Sequence, residues 1–410
     1  MHKVAPLFLF LSALPLAAQE TREESIARDQ DAKAANPPPP EIDKAEAFWD
    51  RHIQRPLRLF LAPRGGLTLR LGGLITGSGF AAGPMYTRPD LLGEKLQIQT
   101  SLVGSFKEYW AASVAASLPH LFGDRMRADV YARHADSPQM HYYGAGPNSR
   151  PEDLTNYRME ETSFDGRLAW RPDRRHWNLG FYGGYLAPNV GPGTDSGTAS
   201  TETRFTPIEA PGINRQASFI RYGPYVEADY RDQPASPHRG GNYVARLLQY
   251  NDRTFGAYSF RRFDGWTEQY IPFFNEKRVI ALRAATQLTW TDTGQQVPFF
   301  LQPTIGGADD LRGYARFRYY DNNNLVLSSE YRWEVAPPLD MALFVDAGRV
   351  FPRPSDFSLN NLRYSGGFGF RVKARSAVVM RMDIGFSREG WQIWFKFSDA
   401  YARDLFQYLF

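Results

Sequence analysis

Two short segments of the sequence hold the residues best suited to a specific charged interaction. The first, residues 306–314, reads GGADDLRGY, and the second, residues 344–348, reads FVDAG. An arginine forms a bidentate, charge-assisted pair with a carboxylate, which lysine cannot match. A pairing of Arg312 with Asp346 would therefore brace a glycine-rich loop against a strand, provided that the fold brings the two segments together.

Other residue patterns that carry chemistry are missing from the sequence. The histidines are scattered, with no His-Glu-x-x-His spacing, and there is no Gly-x-Ser-x-Gly elbow. Such patterns mark zinc sites and serine nucleophiles. We therefore expect no metal, no cofactor and no enzymatic activity. A formal net charge of +4 over 410 residues also gives no indication of nucleic-acid binding.

Long stretches of the chain alternate between polar and apolar residues, which predicts β-strands. In residues 325–335, Glu330 lies on the polar face, and the same alternation puts Asp346 on the polar face of its own strand. The polar faces carry both signs of charge, whereas the apolar faces are rich in aromatic residues. This pattern is typical of a transmembrane β-barrel with lipid outside and polar side chains inside. A soluble all-β sandwich would also alternate, but its apolar faces would point inward.

Turn residues divide the chain into strand-like segments, and we predict an all-β fold: a transmembrane antiparallel barrel of about sixteen strands. The predicted strands begin near residues 67, 82, 95, 109, 125, 156, 177, 216, 241, 255, 277, 324, 339, 362, 377 and 392. An even number places both ends of the chain at one rim. We expect the longer connections (residues 137–155, 190–215, 231–240 and 303–323) at the opposite, outer rim. The last strand ends either near Phe397 or at Phe410, since both match an aromatic ending.

The segment before the barrel divides into three parts, followed by the barrel at residues 64–410. Residues 1–18 combine a basic start, a short apolar run and small residues, which is typical of a secretory signal peptide and predicts export. Residues 19–40 are charged, then rich in proline, and predict a disordered linker. Residues 41–57 show helical periodicity, with Trp49 on the apolar face. This short amphipathic helix could be periplasmic or interfacial, or could contact a second copy of the chain as a homodimer.

The loop segment resembles the Arg-Gly-Tyr/Phe motif of the BamA/TamA insertase superfamily, the bacterial surface antigen barrel. The matching residues are Leu311, Arg312, Gly313 and Tyr314. The segment around Asp346 is similar to the aspartate-bearing strand of that family. The resemblance implies an integral outer-membrane barrel whose loop docks inside the lumen. Arg312 would then meet Asp346 and Glu330, Gly313 would permit a tight turn, and Tyr314 would pack on the wall.

The same family has a lateral seam where the first barrel strand meets the last. Glycines in a first strand would weaken its pairing at such a seam. The candidates are Gly72, Gly73, Gly77 and Gly79. These glycines could equally mark bends of a tightly curved wall.

The resemblance implies a function in inserting or translocating proteins or lipids at the outer membrane. The partners would be outer-membrane lipid and protein clients. Family members typically carry periplasmic POTRA domains, but residues 19–67 leave no room for one, so the sequence resembles a barrel-only branch. The alternative function is that of a passive channel or a structural outer-membrane protein without assembly activity.

Overall fold

A single large antiparallel sheet dominates the computed structural model, which describes residue 51 and residues 65–234, 236–274, 277–336, 339–374 and 377–397. Within these residues the strands are β1 (Leu67–Gly72), β2 (Ala81–Asp90), β3 (Leu96–Ser105), β4 (Trp110–Leu121), β5 (Met126–Tyr142), β6 (Thr155–Trp170), β7 (Trp177–Pro192), β8 (Phe219–Asp229), β9 (Gly240–Asp252), β10 (Phe260–Phe273), β11 (Arg278–Trp290), β12 (Thr304–Ile305), β13 (Tyr319–Tyr320), β14 (Asn323–Ala336), β15 (Leu339–Phe351), β16 (Arg363–Ala374), β17 (Ala377–Ser387) and β18 (Gly390–Lys396). Short helical segments lie at Leu91–Glu94 and Thr201–Arg204, with 3-10 turns at Pro151–Asp153, Phe299–Leu301 and Pro354–Asp356.

Sixteen of the described strands form one sheet in chain order, and β11 pairs directly with β14. The two remaining strands, β12 and β13, form a separate hairpin in the connection between β11 and β14. The predicted all-β barrel of about sixteen strands is confirmed. The largest difference in a predicted start is at β10, which begins at Phe260 rather than near residue 255. There the Asp252 carboxylate accepts hydrogen bonds from the backbone N–H groups of residues 254, 255, 257 and 258, which holds this segment as a turn.

The strands present apolar side chains to the outside and polar ones to the lumen, as the alternation predicts. In β15, Leu343 and Val345 are 52% and 58% exposed on the outer face. Their neighbours Phe344 and Asp346 are buried on the inner face. Exposed apolar side chains on the outer face of a membrane barrel contact lipid.

The two rims of the barrel differ in their connections. We call the rim where β1 begins the proximal rim, and the opposite one the distal rim. The connections at residues 143–154, 193–218 and 291–322 lie at the distal rim, as expected. The connection at residues 231–240 lies at the proximal rim, so the expectation that it shares the outer rim was wrong. It follows β8, the eighth strand of the sheet, and an even-numbered strand returns to the rim where the chain entered.

Several predictions fall outside the described residues. These are the signal peptide (1–18), the linker (19–40), the amphipathic helix (41–57) apart from residue 51, and the alternative ending of the last strand at Phe410. They stay predictions. No helix in the described part of the chain is both long and apolar enough to cross a membrane.

Candidate functional site: the lumenal loop and the seam

The connection between β11 and β14 folds back into the lumen, and we call its residues 306–318 the lumenal loop. It begins at Gly306 and Gly307, whose φ angles of 114° and 113° lie in the region that favours glycine. Leu311 and Tyr314 are buried in one apolar cluster with Ile305, Tyr319, Val326 and Val350. This apolar cluster holds the loop in place inside the barrel, and the charged side chains of the loop face the barrel wall.

Arg312 is the central polar residue of the lumenal loop. Its Nε and Nη2 donate to the two carboxylate oxygens of Asp346 at 2.9 and 2.7 Å, and its backbone N–H donates to Asp346 Oδ2 at 3.2 Å. Its Nη1 donates to Glu330, and the guanidinium lies 3.5 Å from the centroid of the Phe344 ring. Burial opposes the charged form, but Asp346 and Glu330 raise the pKa of the Arg312 guanidinium well above its usual value. The residue is therefore a permanent cation held in a bidentate geometry.

Gly313 is required by space rather than by its backbone conformation. A Cβ at this position would lie 2.5 Å from the carbonyl oxygen of Phe386 and 2.8 Å from Ser365 Cβ. On the facing strand, a Cβ on Gly385 would lie 2.4 Å from the carbonyl oxygen of Arg312. The two glycines thus let the loop backbone approach β17 directly. The tight turn expected here is also present, since the Tyr314 backbone N–H donates to the Leu311 carbonyl at 3.0 Å, but the backbone of Gly313 does not have a positive φ angle.

The Arg312 pairs belong to a larger buried network that the sequence interpretation missed. Arg371 donates to Glu330 at 3.0 Å and to Asp383 at 2.9 Å, and Arg332 donates to Glu330 at 2.7 Å. Arg381 forms an ion pair with Asp383 at 2.9 Å. The strand alternation places these side chains on inner faces, but their distances depend on how neighbouring strands are staggered. The network ties the loop to four consecutive strands, β14, β15, β16 and β17.

The lumenal loop also contacts the last hairpin of the barrel. Trp394 Nε1 donates to the Arg312 carbonyl at 2.8 Å, and Ser387 Oγ donates to the Gly313 carbonyl at 2.7 Å. At the hairpin tip, Glu389 accepts hydrogen bonds from Arg318 and Tyr319 at 2.7 and 2.8 Å. The loop and the C-terminal strands therefore form one connected unit.

The seam lies between β1 and β18, the two ends of the sheet order. Within the described residues, no backbone ladder joins these strands. Phe397 bridges them, since its ring lies 5.1 Å from that of Phe80 and its Cβ lies 3.7 Å from an ideal Cβ on Gly72. Of the four predicted seam glycines, Gly72 is in β1, whereas Gly73, Gly77 and Gly79 lie in the β1–β2 connection. The φ angles of Gly77 and Gly79, 88° and 77°, are those of a turn.

A cavity of about 750 Å³ lies in the lumen directly behind the seam. Its lining includes Gly72 from one edge of the seam, Lys396 and Phe397 from the other, and Asp309 from the lumenal loop. Towards the distal rim, a buried aromatic cluster includes Tyr142, Phe299 and Tyr320. In the described part of the chain, no group of three His, Cys, Asp or Glu side chains is placed to hold a metal ion.

A sixteen-stranded antiparallel barrel with an apolar outer face and an ion-paired lumenal loop defines an outer-membrane β-barrel protein. The chain belongs to the Omp85 superfamily, whose domain model matches residues 91–393. This confirms the resemblance inferred from the loop and strand motifs. A search of curated proteins found no match.

Solved structures with a similar fold include BamA and CdiB. BamA from Haemophilus ducreyi, in a form lacking POTRA domains 1-3, is 16% identical, with a TM-score of 0.58 over 82% of this chain and 70% of that one. CdiB from Escherichia coli is 12% identical, with a TM-score of 0.56 over 82% of this chain and 62% of that one. The chain thus spans less than two thirds of the length of the CdiB chain. At these identities the likeness concerns the fold alone.

Proposed function

We propose that this protein inserts or translocates proteins at the outer membrane by opening the seam between β1 and β18. The observation that carries the proposal is the unequal support of the two edges of the seam. On the C-terminal side, the buried network and the last-hairpin contacts fix the lumenal loop to β14–β18. On the N-terminal side, β1 pairs with β2 over six positions, about as many as the seven that join β18 to β17, but within the described residues β1 itself makes no hydrogen bond or ion pair with the lumenal loop.

Strand pairing supports the same proposal. The stability of a sheet edge grows with the number of paired residues and with its other contacts, so β1, which has a short ladder and no bond to the loop, separates at less cost than β18. A separated edge presents unpaired N–H and C=O groups, to which an extended client segment can add as a new strand. The lumenal cavity directly behind the seam gives such a segment space to enter the barrel.

The passive-channel alternative has one observation in its favour, the 750 Å³ lumenal cavity. The aromatic cluster towards the distal rim and the lumenal loop both take up space inside the barrel, which narrows the route for a passive solute. The seam-opening function is therefore the better supported of the two. Opening of the seam requires no catalytic step.

The test is a seam that can be locked and unlocked. The chain has no cysteine, and the Cβ separation of 3.7 Å between positions 72 and 397 suits a disulfide. We expect the Gly72→Cys/Phe397→Cys barrel, in liposomes, to accelerate insertion of an unfolded outer-membrane β-barrel client only when reduced. The reduced form is the matched control, since it carries the same two substitutions and lacks only the disulfide.

Equal acceleration by the oxidised and reduced forms would contradict the seam mechanism. Lipid scrambling, measured in the same liposomes, distinguishes lipid translocation from protein insertion. If neither form accelerates insertion or scrambling, and both give the same steady single-channel conductance, the passive channel is the correct function.

A further inference from the structure

The lumenal loop reaches both edges of the seam through one side chain, Asp309. Its Oδ2 accepts a hydrogen bond from Thr76 Oγ1 at 3.1 Å and lies 2.8 Å from Lys396 Nζ. Thr76 belongs to the β1–β2 connection, and Lys396 is the last residue of β18. A single carboxylate oxygen therefore lies between the β1–β2 connection and the end of β18.

A second contact holds the N-terminal edge to the loop. Arg316 Nη1 donates to the Gly77 carbonyl at 2.9 Å and to Tyr109 Oη at 3.3 Å, and Arg316 Nη2 lies 2.7 Å from His141 Nε2. A Cβ on Gly77 would lie 2.3 Å from Arg316 Cδ. Glycine at this position therefore makes room for the arginine, so the contact between connection and loop is built into both segments.

The Asp309 contacts continue the buried network. Arg381 Nη2 lies 3.6 Å from Asp309 Oδ1, and it also donates to the carbonyl of Ala308 at 2.8 Å. Since Arg381 pairs with Asp383, charged contacts run without a break from Arg312 to the seam. The loop therefore makes two sets of contacts, those of Arg312 with the barrel wall and those of Asp309 at the seam.

These two sets of ionic contacts differ in strength. The side chains of Arg312 and Asp346 are 2% and 0% exposed, whereas those of Asp309 and Lys396 are 27% and 18% exposed. An ion pair with access to water is weaker and is screened by salt. The contacts of Asp309 should therefore release while the Arg312 pairs remain intact.

We propose that Asp309 is a positioning residue that clasps the two edges of the seam through Thr76 and Lys396. The clasp keeps β1 and its connection docked against the loop, and its release precedes separation of the strands. The inference goes beyond the proposed function, because it concerns how the seam stays shut and requires no client.

The experiment measures how often the N-terminal edge undocks. Ala81 is fully buried where the connection enters β2, opposite Gly72. In the otherwise cysteine-free chain, Ala81→Cys reacts with a water-soluble maleimide only when this region opens. We expect Asp309→Ala to raise the labelling rate about three- to tenfold. The folded barrel, seen as heat-modifiable migration on gels, should be retained, because the Arg312 pairs stay intact. Thr76→Val and Lys396→Met should raise the rate less, and Thr76→Val should add little in the Asp309→Ala background.

The matched control is Asp310→Ala, which removes a carboxylate from the next position of the same loop. Asp310 pairs with Arg283 on β11, at 3.4 Å, away from the seam. The proposal is overturned if Asp309→Ala leaves the labelling rate unchanged, or if Asp310→Ala raises it equally. Should Asp309→Ala fail to fold, Thr76→Val and Lys396→Met decide the question, and unchanged rates in both would refute the clasp. Client insertion is not measured here, so failure of the clasp leaves the proposed function standing.

Discussion

Replacing Arg312 by alanine should destabilise the barrel more than any change to an exposed arginine. The substitution leaves two fully buried carboxylates without their shared partner. Glu330 keeps Arg332 and Arg371. Asp346, within the described residues, keeps the Ser365 hydroxyl at 3.3 Å and the backbone N–H of residue 312. The unpaired charge therefore falls mainly on Asp346.

Removal of one member of a buried pair costs about 3–5 kcal/mol. We expect Arg312→Ala to lie in this range, and Arg312→Lys to cost about 1–3 kcal/mol, because it keeps the charge but loses the bidentate geometry. Asp346→Ala should cost a similar amount to Arg312→Ala. The double variant should cost little more than either single one, because the same interaction is lost once. Arg353→Ala is the control, since its pair with Asp356 is 76% exposed on the arginine side and should contribute at most about 1 kcal/mol.

The assay is the denaturant dependence of heat-modifiable migration on gels, with tryptophan fluorescence as a second probe. Small effects of Arg312→Ala and Asp346→Ala that simply add in the double variant would refute the reasoning. So would an Arg353→Ala effect as large as that of Arg312→Ala, because destabilisation would then not depend on burial.

Two further predictions concern a glycine and a carboxyl group. Gly313→Ala should destabilise the barrel by about 1–3 kcal/mol through overpacking against Phe386, whereas Gly191→Ala, with open space at its Cβ, should change the same unfolding midpoint little. Burial raises the pKa of the Asp321 carboxyl to about 6, so the folded state binds this proton more tightly than the unfolded state does. The stability that the protonated carboxyl contributes is therefore lost as the pH rises from about 4 to 6. Asp321→Asn should therefore be more stable than the parent at pH 7.5, by about 2–3 kcal/mol, and this advantage should disappear near pH 4. A constant advantage at both pH values would contradict the assignment.

The sequence predicts the barrel well because the alternation of polar and apolar residues within each strand identifies its lumenal and outer faces. Alternation requires no knowledge of neighbouring strands, so it places Glu330 and Asp346 on the lumenal side without any tertiary information. The predicted start of β10 was less accurate, because the Asp252 turn competes with an apparently continuous strand. The connection at residues 231–240 was misplaced because its composition, rather than the parity of the strand before it, was taken to define the rim.

The candidate site is only partly predictable, for a different physical reason. The pairing of Arg312 with its two carboxylates needs only the loop motif and the inner faces of two strands. The pairs of Arg371 and Arg381 depend on the stagger between β16 and β17, and the contacts of Asp309 depend on the path of the loop across the lumen. No local pattern encodes either quantity. Polar residues on inner faces near the motif were the available signal, and they identify members of the network without their partners.

The cost of burying so many charges bears on what the network does. Replacing a buried ion network by apolar residues of similar size is often neutral or stabilising, so stability alone does not account for it. An apolar loop could settle at several positions along the wall, whereas the two-pronged contact of Arg312 with Asp346 fixes one register. A loop fixed in this way moves with β14–β18. We infer that opening of the seam must then separate the loop from the β1–β2 connection, and that the contacts of Thr76 and Gly77 yield first.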